Sequence, residues 1–216
     1  RLHADVPLLL FSYLAVYYFW KGYIKKEKNY YIWLVGVFIA LAFLMKLIGG
    51  IFIIIFLIFL IITEKFKFLK NKHLWISLIL MFLVLLPYFI WQINQYGSPT
   101  AFFAGSHVTS NPLGITSYKP IGWHVLNFIP WMLHTPMFIL FLIGLVTLYT
   151  LFLSLDLIIK NKSNENYNDL FIFIWILITL VYFVFLERDA EDRWLLPIAL
   201  PLLVLVGKGL YFIYDI

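Results

Sequence analysis

Cysteine is absent from this chain of 216 residues, and charge is scarce, with Asp, Glu, Lys and Arg making up 12%. The first absence excludes disulfide frameworks and thiolate metal sites. The second leaves too little polarity to build a soluble surface around a sequence that is 63% hydrophobic and 20% aromatic. A Gly-rich phosphate loop, an HExxH pair and a nucleophile elbow are also missing, as are internal repeats, heptads and low-complexity tracts. What the chain has in quantity is apolar sequence, with a mean hydropathy of +0.94. Lipid is the solvent that suits it.

Apolar runs at about 6–20, 30–45, 47–62, 74–91, 131–155, 170–186 and 194–214 predict an all-α polytopic membrane protein with about seven transmembrane helices. Tyr17, Tyr18, Trp20, Tyr30, Trp33, Trp75, Trp91, Trp131 and Trp194 lie near run ends, where interfacial anchors belong. The stretch 30–62 is interrupted only by Lys46. As one helix it would extend roughly 50 Å, too far for a single crossing. A hairpin turning at 46–50 is expected, with Gly49 and Gly50 permitting the tight return. It gathers Lys21, Lys25, Lys26, Lys28, Lys65, Lys67, Lys70, Lys72, Lys160, Lys162 and Lys208 on one side. Only Arg1, Lys46, Lys119, Arg188 and Arg193 remain on the other. By the positive-inside rule the lysine-rich face is cytoplasmic, and the protein is expected in the cell membrane. Residues 1–216 read as one helical transmembrane domain, with 92–130 as an external, partly helical, interfacial loop. The formal charge of +5 does not imply nucleic acid, because the lysines flank apolar runs. The apolar run is already under way at Val6, no cleavable signal pattern precedes it and the chain starts at Arg1, so the N-terminal spans and first external loop are expected upstream.

Few residues on the lysine-poor face could carry chemistry. Arg1-Leu2-His3-Ala4-Asp5-Val6-Pro7 runs straight into a span. Asp5 serves either as that helix's cap or as a carboxylate aimed at a sugar or acceptor. Lys46 either snorkels to water or contacts a phosphate. In 187–193, Arg188 and Arg193 could hold a phosphate in bidentate fashion while Glu187 and Asp189 orient them; the plain alternative is a solvated loop whose charges pair. The long loop contributes His107 and its entrance contributes Tyr96, both substrate-loop candidates. His107, His124 and His134 match no metal spacing, and no metal ligands are assigned.

These stretches together resemble the GT-C superfamily of membrane glycosyltransferases, in the branch of protein O-mannosyltransferases and aminoarabinose transferases. That branch opens an external span with Arg-x-x-x-Asp-x-Pro, as at Arg1 to Pro7. Its Thr-Lys-Gly-Pro hairpin is matched only by the lysine and a displaced glycine pair in Met45-Lys46-Leu47-Ile48-Gly49-Gly50. Tyr96-Gly97-Ser98-Pro99 is similar to the start of its large loop, and Arg193-Trp194-Leu195-Leu196-Pro197 to its Arg-Tyr-x-Leu-Pro run. The resemblance covers nearly the whole chain and places it as the C-terminal portion. It implies transfer of a hexose or pentose from a polyprenyl-phosphate donor, such as dolichyl phosphate mannose, to a protein or glycolipid acceptor. Asp5 would be catalytic, assisting a base in the upstream part, and Lys46, Arg188 and Arg193 would bind the donor phosphate; this segment alone is expected to be inactive. No cofactor is specified, and a divalent metal is compatible with the carboxylates. Rival readings are an O-antigen polymerase or ligase, and a transporter or scaffold. The scarcity of charge within spans counts against transport.

Overall fold

The structure is a computed structural model that describes residues 4–98, 127, 129–153, 164–182 and 196–214. Its α-helices are α1 (Asp5–Phe19), α2 (Asn29–Met45), α3 (Ile51–Glu64), α4 (Lys72–Tyr96), α5 (Ile129–Leu153), α6 (Asn164–Val181) and α7 (Ala199–Tyr214). Each falls on one apolar run, and no strand occurs among the described residues, so this is an all-α polytopic membrane protein. The stretches Leu47–Lys70, Lys72–Tyr96, Ile129–Val146 and Leu196–Tyr214 are long and apolar enough to cross a membrane. Asn29–Met45 and Tyr167–Val181 are shorter. At about 22 Å, α1 is short too, and a π-helical turn, Trp20–Ile24, extends it.

Burial selects a stripe on each helix that hydrophobicity alone does not mark. On α1 the buried residues are Asp5, Leu8, Ser12, Ala15 and Phe19, while Val6, Leu10 and Tyr17 face outward. The spacing of three and four is that of one helix face. Both faces are apolar because the outer one meets lipid.

The hairpin forms where the 30–62 run predicts it. Lys46 takes an extended backbone (φ −155°, ψ 145°), and a 3-10 turn, Leu47–Gly50, leads into α3. The reason for the glycines differs from the one expected. Gly50 has an ordinary helical φ of −67°, and Gly97 is the only glycine with positive φ among the described residues. Gly49 matters for room: a Cβ there would lie 2.5 Å from the Ala42 carbonyl carbon. The turn folds flat against the last turns of α2.

Ring contacts fix the helix directions. Phe19, at the end of α1, stacks on Phe56 at 4.4 Å and meets Phe59 edge-on at 5.7 Å, so α3 runs alongside α1 toward the same end. Trp33, early in α2, donates its Nε1–H to Nδ1 of His73, early in α4, at 3.1 Å. The lysine groups 21–28 and 65–72 therefore share one end of the bundle. On α6, Phe171 stacks against Phe19 and Phe56 at 5.7 and 5.8 Å. The fully buried Trp175 meets Phe52 at 5.3 Å and Tyr13 at 6.1 Å. Asp169 on α6 accepts from Lys208 of α7 at 2.6 Å, which brings Lys208 to the lysine-rich end as well. Helix α7 packs along α5. A break at His134 (φ 55°, ψ 163°) bends the first turns of α5.

Candidate functional site

At the lysine-poor end, the structure joins two of the residues picked from sequence. Lys46 Nζ donates to Asp5 Oδ1 as an ion pair. The Asp5 residue is 8% exposed and the Lys46 side chain 23%. Of the two roles open to Asp5, the cap is not taken: Ala4 holds that position with no side-chain cap bond. Its carboxylate lies in the first turn of α1, where the helix dipole still favours negative charge, and is spent on Lys46 instead.

The backbone aims Lys46 there. Its N–H closes the last bond of α2 on the Ala42 carbonyl (3.1 Å), and its own carbonyl accepts from Gly49 N–H (2.9 Å), starting the return turn. The lysine is thus clamped between two helical segments rather than carried on a loose loop. Opposite charges that are half removed from water attract more strongly than a surface pair. The pair also ties the start of α1 to the end of α2.

Tyr96 closes α4. Gly97 follows with φ +72°, its N–H bonded to the Ile93 carbonyl at 2.8 Å, a left-handed stop that glycine allows. Tyr96 is exposed, with its ring edge-on to Trp91 at 5.8 Å. Gln92, which the sequence offers only as the first residue of the 92–130 loop, lies inside α4. It is fully buried, donating from Nε2 to the Tyr88 hydroxyl at 2.6 Å. The signal available was an amide one helical turn beyond a phenol.

Glu187, Arg188, Asp189 and Arg193 lie outside the described residues, as do Arg1, His107, His124 and most of the loop predicted at 92–130, whose first residues belong to α4. The described chain resumes at Leu196, whose carbonyl accepts from the Tyr13 hydroxyl at 3.3 Å. Tyr13 stands eight residues past Asp5 on α1, about 12 Å along the axis. Among the described residues no group of three or more His, Asp and Glu converges as a metal site requires.

A carboxylate and an ammonium, brought together at one end of an apolar bundle, can orient a hydroxyl and neutralise an anion at the same boundary. No curated protein and no solved structure matches the chain. Residues 1–91, which run through α1, α2 and α3 and most of α4 and contain both Asp5 and Lys46, are similar to the dolichyl-phosphate-mannose-protein mannosyltransferase family.

Proposed function

We propose that this protein is a glycosyltransferase that moves a sugar from a polyprenyl-phosphate donor to a hydroxyl of a protein or glycolipid acceptor, at the non-cytoplasmic face of the cell membrane. The observation that carries the reading is the Asp5–Lys46 pair, which falls inside the stretch similar to a mannosyltransferase family. That similarity supports a transferase over an O-antigen polymerase or ligase and over a transporter or scaffold. In the mannosyltransferase form of the reading, the donor is dolichyl-phosphate-mannose and the acceptor a protein.

The chemistry assigns each group a task. The acceptor oxygen attacks the anomeric carbon and its proton passes to a carboxylate. The bond from that carbon to the donor phosphate oxygen breaks, leaving its electron pair on the phosphate. Asp5 orients the hydroxyl and assists its deprotonation. Lys46 meets the growing phosphate charge, with Asp5 holding one of its three N–H donors and fixing its direction. Arg188 and Arg193 take the remaining phosphate oxygens in bidentate fashion, kept in place by Glu187 and Asp189. Tyr96 and His107 contribute to the acceptor side.

The test is transfer from a labelled lipid-phospho-sugar by the full-length protein. Lys46→Ala is expected to lower turnover about a hundredfold, as loss of a transition-state donor does. Asp5→Asn is expected to lower it by about tenfold or more, as loss of an assisting carboxylate does. Transfer left intact by both substitutions would sink the reading. Intact transfer in Arg193→Ala removes that residue alone.

A further inference from the structure

At the opposite, lysine-rich end lies a cavity of about 210 Å³ lined by Tyr23, Ile24, Lys25, Lys26, Phe59, Thr63, Glu64 and Tyr167. It sits where the π-helical turn after α1, the end of α3 and the start of α6 converge. Its volume exceeds that of several waters, each of which takes ~30 Å³ of the liquid. Three features set it apart from a solvated crevice. Lys25 and Lys26 share its wall with Glu64, yet neither forms an ion pair with that carboxylate. Lys25 is instead held over the Trp20 ring, 4.0 Å from its centroid. Tyr23 is 9% exposed, and its buried hydroxyl makes no hydrogen bond of good geometry. Lastly, Lys26 holds a left-handed φ of 54°, which an unbranched L-residue adopts at a cost.

A lone anion in this cavity would meet Glu64, and a lone cation would meet two lysines. A ligand carrying both charges meets neither conflict. We propose that the cavity binds a phosphoethanolamine-type group, with its phosphate toward Lys25 and Lys26 and its ammonium toward Glu64 and the rings of Tyr23, Tyr167 and Phe59. The rings add cation–π attraction for the ammonium, and Tyr23 supplies a hydroxyl for the phosphate; the Thr63 hydroxyl is already spent on the Phe59 carbonyl at 2.8 Å. The source is either the headgroup of an aminophospholipid, which the cavity's place at the end of the apolar bundle suits, or the free phosphomonoester. The site stands apart from Asp5 and Lys46, at the other end of α1.

Full-length protein from nanodiscs holding equal phosphatidylethanolamine, phosphatidylglycerol and phosphatidylcholine, examined by native mass spectrometry, tests this. Phosphatidylethanolamine is expected to be retained over the other two. Glu64→Gln should cut that retention about tenfold, the loss of one charged partner, and the double change Lys25→Ala/Lys26→Ala, which removes two, by at least as much. In lipid-depleted detergent, a rise in melting temperature with free phosphoethanolamine, without retention of the lipid, assigns the soluble source. Preferential retention of phosphatidylglycerol would mean plain attraction to lysines and would overturn the proposal. So would equal retention of all three lipids with no response to phosphoethanolamine, or retention unchanged in a folded Glu64→Gln. Should Glu64→Gln not fold, the double lysine variant, altered on an exposed turn, decides alone.

Discussion

Replacing Gly36 with alanine tests the close approach of α2 to α4. A methyl carbon there would lie 1.9 Å from the Ser77 carbonyl oxygen and 2.7 Å from its carbon. Non-bonded carbon and oxygen stay about 3 Å or more apart, so the helices must part by roughly 1 Å. The obstacle is backbone, and no rotamer relieves it. Parting strains two hydrogen bonds, from Gly36 N–H to Ser77 Oγ at 2.9 Å and from Trp33 to His73 at 3.1 Å. Such bonds within a membrane average about 0.6 kcal/mol each, and overpacking adds about 1–3 kcal/mol, for a total of about 2–4 kcal/mol. Ser77→Ala removes only the hydroxyl and should cost about 0.6 kcal/mol. The double variant keeps the clash, because the carbonyl remains. Unfolding in detergent, followed by tryptophan fluorescence, measures all three. If Gly36→Ala were as stable as Ser77→Ala, or were rescued by it, the close approach of these helices would be refuted.

Other outcomes follow from the same contacts. Lys46→Met and Asp5→Asn should each destabilise the protein by about 2 kcal/mol, between the values for exposed and buried pairs, and the double variant should cost less than their sum. Costs that simply add would show that the two charges do not interact. Residues 1–216 contain no cysteine, so single cysteines at positions 46 and 65, in a protein otherwise free of cysteine, can be labelled selectively. Impermeant reagent is expected to reach them from opposite sides of the membrane, and labelling from the same side would rule out the hairpin. Asn71→Ala removes the side chain that accepts from His73 N–H at 3.0 Å at the start of α4. It should cost about 1 kcal/mol in the same unfolding measurement, and a shift of zero would deny the cap.

The spans were legible because membrane helices announce themselves by composition. The 46–50 break was legible because charge bias distinguishes a hairpin from one long helix. The faces were not. On α3, Ile51, Phe52, Ile55, Phe56, Phe59 and Leu60 are buried while Ile53, Ile54, Leu57 and Ile61 are exposed, and no difference in hydrophobicity separates the two sets. Sorting them requires knowing which side packs on Phe19 and Phe171 and which meets lipid. Asp5 and Lys46 could be chosen individually because each charge is costly beside apolar sequence. Their pairing spans 41 positions and depends on the lengths of α1 and α2, which residue type does not reveal. The cavity at the other end was hidden for the same reason. Tyr23, Glu64 and Tyr167 come from three distant segments, and each alone reads as an interfacial residue.

The pair at the site is a consequence of matched lengths. From the lysine-rich turn at 25–28, α1 with its π-helical extension spans twenty residues back to Asp5, and α2 spans seventeen forward to Met45. The two helices are clasped along this distance by Phe38, which stacks on Tyr18 at 5.3 Å and on Phe11 at 6.3 Å. With the register fixed there, the start of one helix and the end of the other reach the same height. Each added residue would lift an end by about 1.5 Å and turn it by about 100°. A lysine on a flexible loop could follow such a shift. Lys46 cannot, because its amide is bonded to Ala42 and its carbonyl to Gly49, so its side chain points where α2 ends. The aromatic clasp in the apolar interior thus sets where the charges meet at the surface.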